Sequence, residues 1–174
     1  MHAEIEKSLE KLQTDFVDLF LIHFPWGNHD EILEAWNILE DYYNRGVFKA
    51  IGVSNFEKEH LDLVLENGKV KPAVNQIESH VGNWNEDLIA YHKEKDIATV
   101  AWSPLRGIDE NAKQVLEKIG EKYGKTYAQV VLRYQIERDV IVIPKSHHKE
   151  RQAQNLNIFD FELTADERER IASL

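Results

Sequence analysis

Five short apolar runs, each followed by an amphipathic segment, are the feature that most limits what this chain can become. The runs are 16–22 (FVDLFLI), 50–53 (AIGV), 73–77 (AVNQI), 97–102 (IATVAW) and 140–143 (VIVI), short enough and apolar enough to be strands. Around them, apolar side chains recur at helical spacing. Ile5, Leu9 and Leu12 mark a first helix. Ile32, Trp36, Leu39 and Tyr43 form the core-facing side of a second, which should stop at Gly46. Further helices are predicted over 59–65, 86–94, 110–122, 126–137 and 149–155, and Thr164 with Glu167 reads as a capping box opening the last one. Strand-then-helix repetition predicts a parallel sheet with helical crossovers, and near-continuous apolar strands predict burial of both faces. No linker or low-complexity tract divides residues 1–174, so a single domain is expected.

The polar and aromatic residues of interest fall at the C-terminal ends of the predicted strands: His23, Ser54 and Asn55, Gln76, Trp102 and Ser103, Lys145 and Ser146. Parallel α/β folds place their sites at that end, whether the sheet closes into a barrel or stays open and doubly wound. Periodicity does not separate those two folds. An eight-unit barrel takes about 250 residues, so five units leave roughly three unaccounted for.

A net charge of −10 argues against general nucleic-acid binding and against docking on anionic membranes. Any phosphate site must then be a local basic cluster. The absence of cysteine excludes disulfides and thiolate metal sites. No apolar run approaches the ~20 residues of a membrane span, and the first residues are charged and helix-like rather than signal-like, so the cytoplasm is the expected compartment. His147 and His148 are adjacent and splay apart, and no spaced third ligand accompanies them, so no metal site is expected. No G-x-G-x-x-G follows a strand, which leaves a Rossmann-type nucleotide site unsupported.

Five ordered motifs narrow the choice: SLEKLQTDFVDLFLIHFP (8–25), GVFKAIGVSNF (46–56), PAVNQIE (72–78), AWSPL (101–105), and IPKS (143–146) followed by Arg151 and Asn155. In this order they resemble the aldo-keto reductase family over essentially the whole chain. The resemblance implies a partial (β/α)8 TIM barrel of about five parallel β/α units, strands 4–8 of the family's eight. It also implies an NADPH-dependent oxidoreductase acting on a small carbonyl substrate.

By that resemblance Ser54, Asn55 and Gln76 hold the nicotinamide carboxamide, a task suited to neutral donors and acceptors. Trp102 would stack on the nicotinamide ring and leave its other face to substrate. Ser103 and Leu105 would line the pyrophosphate. Lys145, Ser146 and Arg151 would take the adenosine 2′-phosphate, favouring NADPH over NADH, with Gln154 and Asn155 near the adenine. His23 matches the histidine that orients the substrate carbonyl and is the only catalytic residue carried over.

The family's proton-donating tyrosine, and the lysine and aspartate that tune it, have no counterpart in these motifs. All six tyrosines fall on predicted helices or, for Tyr123, at the end of one. The expectation is therefore a truncated barrel, inactive as an isolated chain. The alternative is a non-catalytic nucleotide-binding fragment, or one that self-associates through its unpaired sheet edges. Phe24 follows the histidine where many members carry tryptophan or glutamine, and HVGNWNE (80–86) stands where the family reads His-Pro, which leaves the substrate unspecified.

Overall fold

Helix and strand alternate as the apolar rhythm requires. The computed structural model describes all of residues 1–174. Its elements are α1 (His2–Leu12), β1 (Val17–Ile22), α2 (His29–Asn44), β2 (Phe48–Ser54), α3 (Lys58–Asn67), β3 (Val74–Glu78), α4 (Glu86–Glu94), β4 (Ala98–Trp102), α5 (Glu110–Glu121), α6 (Tyr127–Glu137), β5 (Val140–Val142), α7 (Lys149–Leu156) and α8 (Ala165–Ala172). The five strands form one sheet of order β1-β2-β3-β4-β5, and β1–β2, β2–β3 and β4–β5 pair in parallel. No helix is long and apolar enough to cross a membrane.

Contacts divide the chain into two compact units, Met1–Gln76 with Asp87–Ala98, and Ile77–Glu86 with Thr99–Leu174. In the first, α2 starts at a capping box in which Asn28 and Glu31 satisfy each other's amides. It ends where Gly46 adopts a φ of 74°, the left-handed stop expected there. Trp36 and Leu39 are fully buried, but Tyr43 is 38% exposed and its neighbour Tyr42 takes the core position. The buried face runs 32, 35, 39, 42, following the 3.6-residue turn rather than the spacing that reached Tyr43. Tyr42 stacks on Phe48 of β2 and donates its hydroxyl to Glu6. Glu40, also buried, accepts the N–H groups of Lys69 and Val70, which tie the α3–β3 connection to α2.

Burial of both strand faces holds for β2 but not for the outer strands. Leu19 of β1 is 41% exposed and Ile141 of β5 is 52% exposed. Each outer strand has a neighbour on one side only.

The second unit closes over Leu116, Ile119, Val130, Leu132, Ile158, Phe161, Leu163 and Ile171. The Thr164–Glu167 capping box forms as expected. Glu167 does more than cap: its buried carboxylate also accepts from Lys122 Nζ and from the Tyr123 hydroxyl, each at 2.6 Å. Burial pushes this carboxyl up, but the hydrogen bonds from Lys122, Tyr123 and Thr164 outweigh it and hold the group at about 2.

A carboxyl depressed from its ordinary ~4.3 contributes stability that is complete above that value and is lost as pH falls toward 2. Urea midpoints of the wild-type chain should therefore fall between about pH 5 and 2 by an increment worth roughly 2 kcal/mol. In Glu167→Gln that increment should be missing. Parallel wild-type and variant curves would show that Glu167 is not the group responsible.

Candidate active site

In the first unit, β1 and β2 pair with Ile22 opposite Val53, and β2 and β3 with Ser54 opposite Gln76. His23, Ser54, Asn55 and Gln76 therefore gather at one end of these three strands. The approach of β2 to β3 depends on Gly52, where a Cβ would lie 2.6 Å from the Val74 carbonyl oxygen. The buried Ser54 hydroxyl donates to Gln76 O at 2.8 Å and accepts from Asn55 Nδ2 at 3.0 Å. Asn55 N–H donates to the same Gln76 oxygen at 2.9 Å, and its Nδ2 reaches His23 O at 3.2 Å.

These bonds hold Asn55 at a φ of 59°, a left-handed conformation that costs a non-glycine residue about 1–3 kcal/mol and lasts only where its surroundings fix it. Neither Ser54 nor Asn55 caps α3, whose N-cap position is Glu57. His23 follows the last residue of β1 directly and is exposed.

Sequence reasoning passed over two residues behind this turn. Asn75, fully buried on β3, donates from Nδ2 to Phe56 O at 2.8 Å and accepts Phe56 N–H at 3.4 Å. Its Nδ2 is also 2.9 Å from Nε2 of His92, which is buried on α4. Burial drives the His92 imidazole down to about 4, so the ring is neutral near pH 7. The available signal was an asparagine within the predicted strand 73–77, a residue type seldom buried without a partner.

In the second unit β4 and β5 run parallel with Ala101 opposite Val142. Trp102 is the last residue of β4 and is half-buried. Ser103 has a φ of 53°, and its carbonyl accepts Arg106 N–H at 3.0 Å, closing a turn over the buried Pro104. Leu105 anchors that turn on the core of the unit. Arg106 pairs with Glu78 Oε1 at 2.7 Å, and His80 Nε2 lies 3.3 Å from the same oxygen. Both partners were invisible to motif reasoning because they are remote in sequence from the turn they hold.

Beyond β5, Ser146 Oγ accepts His148 N–H at 3.2 Å and Gln152 Nε2 donates to Ser146 O at 2.7 Å. His148 precedes α7 and makes no side-chain cap bond. The first-turn amides of α7 thus lack a capping acceptor, and such amides favour anions. Lys145 and Arg151 are exposed there, and neither takes part in an ion pair. Gln154 is exposed, whereas Asn155 lines an apolar groove of about 690 Å³ with Ile141, Val142, Pro144 and Phe159.

The tyrosines sit elsewhere. Tyr42 and Tyr43 are on α2, Tyr91 on α4, and Tyr127 and Tyr134 on α6. Tyr123, expected at the end of a helix, lies just past α5 in the turn closed by Gly120 O. Tyr91 and Tyr123 are raised to about 12, Tyr91 by burial and its bond to Asp62, Tyr123 by its bond to Glu167 and burial. Burial also raises Tyr42 and Tyr134.

The family model described as the aldo/keto reductase family matches residues 1–174. A glyoxal reductase of Bacillus subtilis is 42% identical over 172 residues, covering 99% of this chain and 62% of that protein. An aldo/keto reductase crystal structure from Brucella melitensis superposes with a TM-score of 0.93 at 40% identity, over 98% of this chain and 66% of that one. A silkworm aldo-keto reductase complexed with NADPH gives a TM-score of 0.92 at 35% identity, over 99% of this chain and 58% of that one. The chain thus spans about three-fifths of the length of the relatives it matches. With its motifs, its parallel sheet and this likeness all in agreement, the chain belongs to the aldo/keto reductase family.

Proposed function

We propose that these residues form the cofactor-holding part of an NADPH-dependent reductase of small aldehydes, and that they need a proton donor from outside the 174 residues to turn substrate over. The observation that carries the reading is the left-handed Asn55, held by Gln76 O, Ser54 and His23 O at the strand ends. A strained polar residue fixed at a site-bearing end of parallel strands is what amide recognition needs. Ser54, Asn55 and Gln76 would hold the carboxamide, and Trp102 would give the ring a flat apolar wall. Ser103 and Leu105 would line the pyrophosphate, and Lys145, Ser146, Arg151 and the open start of α7 would take the 2′-phosphate. Gln154 and Asn155 would lie near the adenine, and His23 would orient the carbonyl. When bound, the reduced nicotinamide supplies the hydride. The chain's own residues orient and exclude, but none of its tyrosines is placed to give the proton. The likeness to a glyoxal reductase makes small dicarbonyls the first substrates to try. In a cell the cytoplasm is the compartment we propose.

The test is tryptophan fluorescence titrated with NADPH. A saturable change is expected in the wild type, reduced to the residual response of the other three tryptophans in Trp102→Phe. No response, or a response identical in the variant, rejects the site.

The second reading is a nucleotide-binding chain that pairs with itself. The exposed apolar side chains of the outer strands, Leu19 and Ile141, favour it, because an unpaired edge is a template for another strand.

A further inference from the structure

We infer that Asn75 and His92 are positioning residues for the cofactor: a buried clamp that holds the Ser54–Asn55–Phe56 turn in the shape that presents Asn55 to the carboxamide. This rests on the cofactor reading above. Asn75 and Gln76 are consecutive on β3, so their side chains point to opposite faces. Gln76 offers its backbone oxygen to Ser54 and Asn55, and Asn75 reaches past it with its side-chain amide to bracket the next residue, Phe56. The bracket has the geometry of a peptide: Oδ1 accepts the Phe56 N–H and Nδ2 donates to the Phe56 carbonyl. In effect it extends the β2–β3 ladder by one side-chain rung beyond the left-handed Asn55.

The orientation of that amide is decided by its surroundings. Phe56 O needs a donor and Phe56 N–H needs an acceptor, which fixes where Nδ2 and Oδ1 lie. The second hydrogen on Nδ2 then faces His92 Nε2 at 2.9 Å, so that ring nitrogen must carry the lone pair. Burial keeps the ring neutral near pH 7, and the acceptor is therefore available where the protein works. Rotating the Asn75 amide would set Oδ1 against that lone pair and leave both Phe56 groups without partners. Packing alone would be served by an apolar pair at these fully buried positions. A polar pair in which Asn75 brackets Phe56 and His92 holds the Asn75 amide instead fixes the shape of the turn.

The test compares His92→Leu with His92→Gln in the full chain. Leucine removes the acceptor yet suits a buried helix position, and glutamine can place an amide oxygen near the Nε2 position. Three quantities are read: hydrogen exchange of the Phe56 amide, NADPH affinity, and affinity for adenosine 2′,5′-bisphosphate, which lacks the nicotinamide. His92→Leu is expected to speed Phe56 exchange about tenfold or more and to weaken NADPH about five- to tenfold, with the bisphosphate unchanged. His92→Gln should return exchange and NADPH affinity close to wild type. Unchanged Phe56 exchange in His92→Leu overturns the clamp, and equal losses of NADPH and bisphosphate overturn its role toward the carboxamide. If the wild-type chain binds no NADPH, the cofactor reading fails and the inference about cofactor falls with it, while Phe56 exchange still decides whether the pair holds the turn.

Discussion

Supplied with NADPH and glyoxal, the 174-residue chain is expected to consume cofactor roughly 10²–10⁴-fold more slowly than a full-length glyoxal reductase under the same conditions. Carbonyl reduction delivers a hydride to carbon and a proton to oxygen, and a positioned acid is worth about that factor. His23 is exposed at the end of β1, where the proposed function has it orient the carbonyl. Under the proposed reading the acid comes from none of the tyrosines, and four of the six are already engaged. Tyr42, Tyr91 and Tyr123 already donate to Glu6, Asp62 and Glu167, and Tyr134 is buried against Trp84. A phenol raised to about 12, as Tyr91 is by burial and Asp62 and Tyr123 by Glu167 and burial, is a poorer proton donor than an ordinary one. Following nicotinamide absorbance measures the rate directly, and a rate typical of the full-length relative, with no second chain present, refutes this account of the acid.

Arg151→Ala is expected to weaken NADPH about ten- to a hundredfold and NADH less than twofold. A hydrogen bond to a charged group contributes roughly 1.5–3 kcal/mol, which corresponds to that range. Arg151 is exposed in the first turn of α7 and makes no ion pair within the chain, so its removal breaks no salt bridge. NADH lacks the 2′-phosphate and gives Arg151 nothing to hold. Lysine at 151 should recover only part of the loss, because it keeps the charge but not the bidentate fork. Equal losses for both cofactors, read by titration calorimetry, would place the guanidinium elsewhere.

Much of this was legible from local pattern, because local physics determines it. The strands at 16–22, 73–77 and 97–102 appear within a residue of where their apolar runs put them. Gly46 and the Thr164–Glu167 box stop and start helices as their chemistry demands. Tyr43 was misplaced because 36, 39 and 43 are as helical a series as 35, 39 and 42, and only the position of Phe48 decides between them. The exposure of β1 and β5 was likewise hidden, since an apolar run does not say whether the neighbour that would cover it is present. Within the candidate site, motifs picked out the residues at strand ends but not those that hold them. Asn75 and His92 are 17 positions apart and meet through the β3–α4 connection, while Arg106 finds Glu78 at a separation of 28. Such pairs carry no periodicity, so only coordinates bring them together.

The central claim is that NADPH engages the residues named here. Amide and side-chain resonances of the ¹⁵N-labelled chain, followed during an NADPH titration, test it most directly. The account predicts that Ser54, Asn55, Gln76 and the Trp102 indole shift with the same midpoint as Lys145, Ser146 and Arg151, while α1 and α8 stay still. Shifts confined to one of those two groups, or centred on unrelated residues, would contradict it.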